Sequence, residues 1–341
     1  MLHLATYFDK NYLNRGLVLY DSLKQHTTDF ELYILCLDDF TFDYFQQLNH
    51  PQIKLLRTED LETADAELQD ARQNRSVIEY YFTLSPCLPL YLLRKFQLPH
   101  ICTLDADVLF LSDPTPLFEY LEQYSIIITP HKFSEEMKKL ERFGKYNVSF
   151  QVFKNDSSGL ACLEKWRAQC IEWCGDVFDE KNNRFADQKY LDEWIMLYPG
   201  KVKELYDNVS GLAPWNLNHY RVTKEGGNFY SNGERIIFYH FHHFKLLSAK
   251  WASNGLKNYR AKDQQAIKEL YLHYWNSLED KNELLGFEKD KSQRSDLSGQ
   301  LPQKLLKELC VFYKPSRKKL VQLNLYRMPN IAKRILLKIY A

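Results

Sequence analysis

"LDADVLF", residues 104–110, places two aspartates one residue apart at the end of an apolar run. Two carboxylates that close repel each other, so the pair needs a physical reason. The run before it, "HICTLDAD", reads as a strand, and side chains at i and i+2 of a strand share a face. Asp105 and Asp107 are therefore expected to project together. A divalent cation between them would account for the pair, because hard oxygen ligands suit Mg²⁺ or Mn²⁺. The alternative is an Asp-x-Asp turn that simply ends the strand.

Working outward, the pattern alternates. "LHLATYF" reads as a strand, "NRGLVLYDSLKQH" as a helix, and "ELYILCL" and "QIKLLR" as strands. "VIEYYFTLSPCLPLYLLRKF" reads as one or two helices ahead of the aspartate strand. Further on come strands at "YSIIIT" and "NVSFQVFK", a helix carrying Trp166 and Trp173 as core, a short helix at "DQKYLDEW" and a strand at "RIIFYHFH". This alternation predicts an α/β fold, a Rossmann-like mixed and mostly parallel sheet flanked by helices. In such sheets ligands bind beyond the carboxyl ends of the strands, and "LDAD" is such an end. From about residue 250 the texture becomes polar and helical, through "DQQAIKELYLHYWNSLED", the charged loop "EKDKSQRSDLSGQ" and a basic tail. The expected organisation is a catalytic domain over 1–250, nucleotide-binding over about 1–110 and completing the metal and acceptor sites over about 111–250. A helical, basic C-terminal extension over 251–341 follows.

The 341 residues suffice for a sizeable core. With 45 Lys and Arg against 44 Asp and Glu, no overall field argues for nucleic acid. No apolar run reaches the length of a membrane-spanning helix and no secretory leader is visible at the start, so a cytoplasmic protein is expected. The seven cysteines form no CxxC pair and read as reduced, buried thiols.

Six segments, in order, carry a resemblance: "ATYFDKNYLNRGLVLYDSL", "LDADVLF", "YNVSFQVFK", "FADQKYLDEW", "LAPWNL" and "YHFHHFK". Together they resemble the GT-A nucleotide-sugar glycosyltransferases of family eight, the glycogenin and bacterial lipopolysaccharide galactosyltransferase type. The resemblance implies that Asp105, Asp107 and His240 bind Mn²⁺ or Mg²⁺. It implies that Thr6, Asp9 and Tyr12 surround the base, with Asp105, Ala106 and Asp107 also on the donor. Asn147, Asp187 and Gln188 would face the transferred sugar, Asp187 and Gln188 at the reacting centre, and Lys245 would meet the diphosphate. The chain departs from the pattern at Tyr7 and Phe8, where the first loop is longer. It departs again at Phe82, where an arginine is usual, and at His243, where a glycine is usual. Read from residues alone, Asp187 could equally cap the helix after it.

The implied activity is transfer of a hexose or N-acetylhexosamine from a UDP-sugar to a glycan or glycolipid acceptor of the cell-surface polysaccharide or lipopolysaccharide type, with retention of configuration. Two alternatives stand beside it. One is a haloacid-dehalogenase-like phosphatase, which carries its D-x-D on the first strand; Val108 after the second aspartate fits that pattern. The other is a non-catalytic sugar-nucleotide-binding protein of the same fold. In the tail, basic residues from Lys314 to Lys338 follow the last acidic one, Glu308. A helix after Pro329 would set Ile331, Ile335, Leu336 and Ile339 opposite Lys333, Arg334 and Lys338, a face able to lie on an anionic leaflet at the cytoplasmic side or to dock on the domain.

Overall fold

The computed structural model describes residues 1–248, 250–285 and 310–324. The chain divides into two compact units, Met1–Gly211 with Ile237–His240, and Leu212–Ile236 with Phe241 onward. The first unit is built on eight strands: β1 (Leu2–Phe8), β2 (Phe30–Cys36), β3 (Ile53–Arg57), β4 (His100–Leu104), β5 (Val108–Phe110), β6 (Ile126–Pro130), β7 (Tyr146–Lys154) and β8 (Val202–Glu204). Seven of them form one sheet in the order β3-β2-β1-β4-β7-β6-β8. Only β7 runs antiparallel to its neighbours; the other pairings within the sheet are parallel. The expected α/β class, mixed and mostly parallel, is what the chain adopts.

The reason lies in continuous rather than alternating apolarity. Leu32, Tyr33, Ile34 and Leu35 in β2 and Ile126, Ile127 and Ile128 in β6 are all buried, so both faces of the sheet are covered. The covers are α1 (Leu13–His26), α2 (Asp39–Leu48), α3 (Thr58–Ala64), α4 (Ala66–Gln73), α5 (Val77–Phe96), α6 (Thr115–Phe118), α7 (Ser157–Glu172) and α8 (Trp194–Leu197). The segment expected as one or two helices is a single one, α5, running through Pro86 and Pro89. A proline inside a helix costs on the order of 3 kcal/mol. Burial of Leu84, Leu88, Leu92 and Leu93 on one side offsets it, and a capping box at Ser76 and Glu79 starts the helix.

A ninth strand of this unit, β12 (Phe238–His240), pairs antiparallel with β5, setting Phe238 opposite Phe110 and His240 opposite Val108. Fully buried Phe238 stacks on Phe150 at 5.0 Å and tilts against Phe110 at 5.9 Å, which seats the strand.

The second unit begins earlier than the expected break near residue 250. It holds the meander β9 (Val222–Glu225), β10 (Asn228–Ser231) and β11 (Glu234–Arg235). It also holds an antiparallel sheet of β13 (Lys245–Ser248), β14 (Trp251–Ser253), β15 (Cys310–Ser316) and β16 (Lys319–Asn324). The polar helix expected there is α9 (Gln265–Leu284), anchored by Phe241 stacked on Tyr274 at 3.8 Å. The sheet was not legible, because its last hairpin carries the basic residues assigned to a helical tail. Lys314 is buried and pairs with Glu279, and Arg317 pairs with Asp280, so two of those charges are spent on α9. The charged loop at 288–300 and the amphipathic face at 331–339 lie outside the described residues.

Replacing Phe238 with alanine empties a fully buried aromatic site, so Phe238→Ala should lower unfolding free energy by about 3–5 kcal/mol in a urea titration. It should also loosen β12 and weaken divalent-metal binding.

Candidate metal and ligand site

β4 ends at Leu104, and Asp105–Asp107 form a turn rather than a continuation of the strand. The turn is closed by the Val108 N–H donating to the Asp105 carbonyl at 3.2 Å, and Asp105 N–H donates to the Ser149 carbonyl of β7 at 3.2 Å. The aspartates therefore converge because the chain reverses, not because a strand alternates. His240 arrives from β12. Its Nε2 stands 3.0 Å from Asp107 Oδ1 and 3.6 Å from Asp105 Oδ2. One ligand atom from each of the three residues lies within 4.8 Å of the others, and no other such group of His, Cys, Asp or Glu occurs among the described residues.

Charge in this cluster is strongly coupled. Burial first, with Asp107 adding, pushes Asp105 up to about 6, while the His240 imidazole works against that rise. For His240, burial disfavours the charged ring, yet Asp107 and then Asp105 outweigh it and the net shift is upward. Two carboxylate oxygens and one imidazole nitrogen make a donor set able to hold a divalent cation, which would take over the charge compensation that a proton supplies.

The remaining expected residues fall into three groups. Tyr12, 42% exposed, sits at the start of α1, and partial desolvation and then the charge of Asp107 raise its phenol, so it borders the cluster from the solvent side. Asp9 accepts from Asn11 N–H and Asn11 Nδ2 at 3.0 and 2.9 Å in the loop after β1, and Thr6 is buried within β1. Asn147 is buried and committed internally: its Nδ2 donates to the Thr129 carbonyl at 3.2 Å, and its Oδ1 accepts from Ser149 Oγ at 2.5 Å. Lys245 belongs to the second unit, exposed on β13. His243, where the family pattern has glycine, takes a left-handed φ of 61°, the conformation a glycine there would accept readily.

Asp187 does not cap the turn that follows it. It is buried, and its Oδ2 accepts from Ser85 Oγ at 2.5 Å. Burial, with Asp105 adding, pushes its carboxyl up to about 7 even though the Ser85 bond opposes the shift. Its backbone carbonyl accepts from Trp166 Nε1 at 2.9 Å, so that core tryptophan also fixes the site. Gln188 Nε2 donates to the Phe143 carbonyl at 2.9 Å. Ser85 escaped the sequence reading because it stands directly before Pro86 in a largely apolar run, where a serine reads as an ordinary helix residue. The six cysteines with described side chains are buried and free, as expected.

No family model matches this chain. It is 29% identical to the uncharacterized protein YfnD of Bacillus subtilis (strain 168) over 276 residues, 80% of this chain and 87% of that protein. It is 31% identical to the uncharacterized protein YfnF of the same organism over 253 residues, 72% of this chain and 82% of that protein. Among solved structures it is similar to mouse xyloside xylosyltransferase 1 in its apo form, with a TM-score of 0.45 and 14% identity, covering 71% of this chain and 97% of that one. It is also similar to the galactosyltransferase LgtC in complex with donor and acceptor sugar analogues, with a TM-score of 0.42 and 14% identity, covering 62% of this chain and 76% of that one.

Two outcomes follow from these charges. Protons on His240 and then Asp105 compete with a metal, so calorimetric Mn²⁺ affinity should fall as pH drops through the neutral range and further below about 6, and Asp107→Ala should lose more affinity than His240→Ala. Asp187 has a folded-state pKa above its unfolded one, so the folded chain binds more protons between about 4 and 7 and the metal-free protein loses stability as pH rises through that window. Asp187→Asn should melt higher than the wild type at pH 8 and flatten this part of the profile.

Proposed function

We propose that this chain, which belongs to the family of the Bacillus subtilis protein YfnF, is a metal-dependent glycosyltransferase that moves a hexose or N-acetylhexosamine from a UDP-sugar to a glycan or glycolipid hydroxyl. The observation that carries this reading is the convergence of Asp105, Asp107 and His240 beyond the carboxyl end of β4, bordered by Tyr12 and within electrostatic reach of Asp187. The six ordered segments described above support it as well. A phosphatase of the haloacid-dehalogenase type is disfavoured because the D-x-D follows the fourth strand rather than the first.

Asp105, Asp107 and His240 would hold the cation, whose chemistry when bound is to neutralise charge on a diphosphate leaving group. Tyr12 would close the nucleotide side of the site. Asp187 and Gln188 would orient the sugar through its hydroxyls. Gln188 is an amide and Asp187 is engaged by Ser85, so neither is a free strong nucleophile on the donor face. That favours a front-face route with retention, in which the departing phosphate oxygen accepts the acceptor's proton while the bond to the anomeric carbon changes partner. The protein's contribution is then placement and electrostatic stabilisation. The reading extends to peripheral association with the cytoplasmic membrane face, supported by the apolar and basic alternation of residues 331–339.

Incubation with UDP-glucose, UDP-galactose and their N-acetyl forms should give slow Mn²⁺-dependent hydrolysis of at least one, lost in Asp107→Ala, with no release from p-nitrophenyl phosphate. The same assay separates roles. Gln188→Ala should lower kcat by about tenfold or more with the donor KM little changed, because a group at the reacting carbon acts mainly in the transition state. A rise in KM alone would make Gln188 a binding residue.

A further inference from the structure

A hydrogen-bonded chain of three side chains runs along the edge of the site. Tyr7 of β1 is 2.9 Å from Ser85 Oγ, and Ser85 donates to Asp187 Oδ2 at 2.5 Å, so the Tyr7 hydroxyl is the donor of the first bond. The chain borders the cluster: the charge of Asp105 acts on both Tyr7 and Asp187. Among the described residues no cation lies within ion-pair distance of Asp187. The side chain that holds its carboxyl group is Ser85, with the backbone N–H groups of Asp187 and Gln188 adding to it.

The turn that carries Asp187 is constrained from several sides. Ala186 has a φ of 45°, a left-handed conformation that is unfavourable for a residue with a Cβ. Its N–H donates to the Gly175 carbonyl at 2.9 Å, and Trp166 holds the next carbonyl. Gln188, bonded to Phe143, lies so close to Gly144 that a Cβ on that glycine would stand 3.3 Å from Gln188 Cγ. Strain of this kind persists only where the surroundings over-determine it, and it concentrates at functional sites. A largely buried Asp–Ser–Tyr chain also adds little to stability alone, since replacing hydrogen-bonded partners by apolar groups of the same shape can be nearly neutral.

We propose that Tyr7 and Ser85 are positioning residues for the transferred sugar: they aim the Asp187 carboxyl group and, through it, hold the Ala186–Gln188 turn toward the donor. The inference rests on the glycosyltransferase reading and deepens it. It assigns to a serine and a tyrosine hydroxyl the holding role for Asp187. Because the chain is taken to act on the sugar and not on the nucleotide, binding of UDP alone should be indifferent to it.

The test measures kcat and KM for metal-dependent hydrolysis of the UDP-sugar that the wild type accepts, and the affinity for UDP with Mn²⁺. It compares wild type, Ser85→Ala, Ser85→Thr and Tyr7→Phe. Ser85→Ala should lose about 10- to 100-fold in kcat, the scale of a misplaced reacting geometry, with UDP affinity within about twofold of wild type. Tyr7→Phe, which removes one hydroxyl and keeps the ring, should lose a smaller factor in kcat, and Ser85→Thr should recover most of the Ser85→Ala loss. Unchanged kcat in both Ser85→Ala and Tyr7→Phe overturns the inference while the enzyme reading stands. So does a parallel collapse of UDP affinity and kcat without rescue by threonine, which marks a structural role only. A wild type that neither binds nor hydrolyses any UDP-sugar overturns the reading itself and this inference with it.

Discussion

Repulsion between Asp105 and Asp107 is the constraint around which the first unit is arranged. A turn that closes two carboxylates on each other at the end of a buried strand is stable only if positive charge reaches it. The chain supplies that charge from far away in sequence: β12 crosses beside β5 and sets the His240 imidazole 3.0 Å from Asp107. Everything that seats β12, from the Phe238 stack on Phe150 to the bonds from Leu111 N–H and Ser112 N–H to the Ile237 carbonyl, is in service of that approach. The imidazole can carry the compensating proton, or lose it to solvent when a divalent cation takes over the compensation, and the same three residues would then be ligands.

Most of the sheet was legible because its signals are local. Runs rich in apolar residues and bounded by turns mark β1, β2, β4, β6 and β7, and the ordered segments point to Asp105, Asp107 and His240 before any geometry is known. What stayed hidden is non-local or counter to propensity. Pro86 and Pro89 argue for a break in α5, and only burial against the sheet keeps the helix whole. The aspartates read as strand residues because two-residue spacing cannot distinguish a strand from a tight turn. Lys314 and Arg317 read as tail charges because their partners, Glu279 and Asp280, stand on a helix some 35 residues earlier. The internal partners of Asn147, the Thr129 carbonyl and Ser149, were likewise not readable from the sequence.

For Asp187 two readings stand side by side in the sequence, a residue at the transferred sugar and a cap on the turn after it; in the folded chain the side chain makes no cap and turns inward to Ser85. A buried carboxyl within reach of another acid, held by one serine hydroxyl, sits high on the pKa scale and costs stability at neutral pH. Proteins keep such groups where a polar contact has to be presented at a fixed angle in a site with little water. The adjoining left-handed Ala186 and the glycine packed against Gln188 give the same turn its rigidity.

The central claim is that the carboxylate–imidazole cluster holds a metal to which a nucleoside diphosphate also binds. Electron paramagnetic resonance of Mn²⁺ on the full chain in the presence of UDP tests it most directly. The account predicts hyperfine coupling from one imidazole nitrogen, absent in His240→Ala, together with coupling from phosphorus of the same bound UDP. Manganese that stays hexa-aquo in the presence of the protein, or nitrogen coupling that survives His240→Ala, would contradict it.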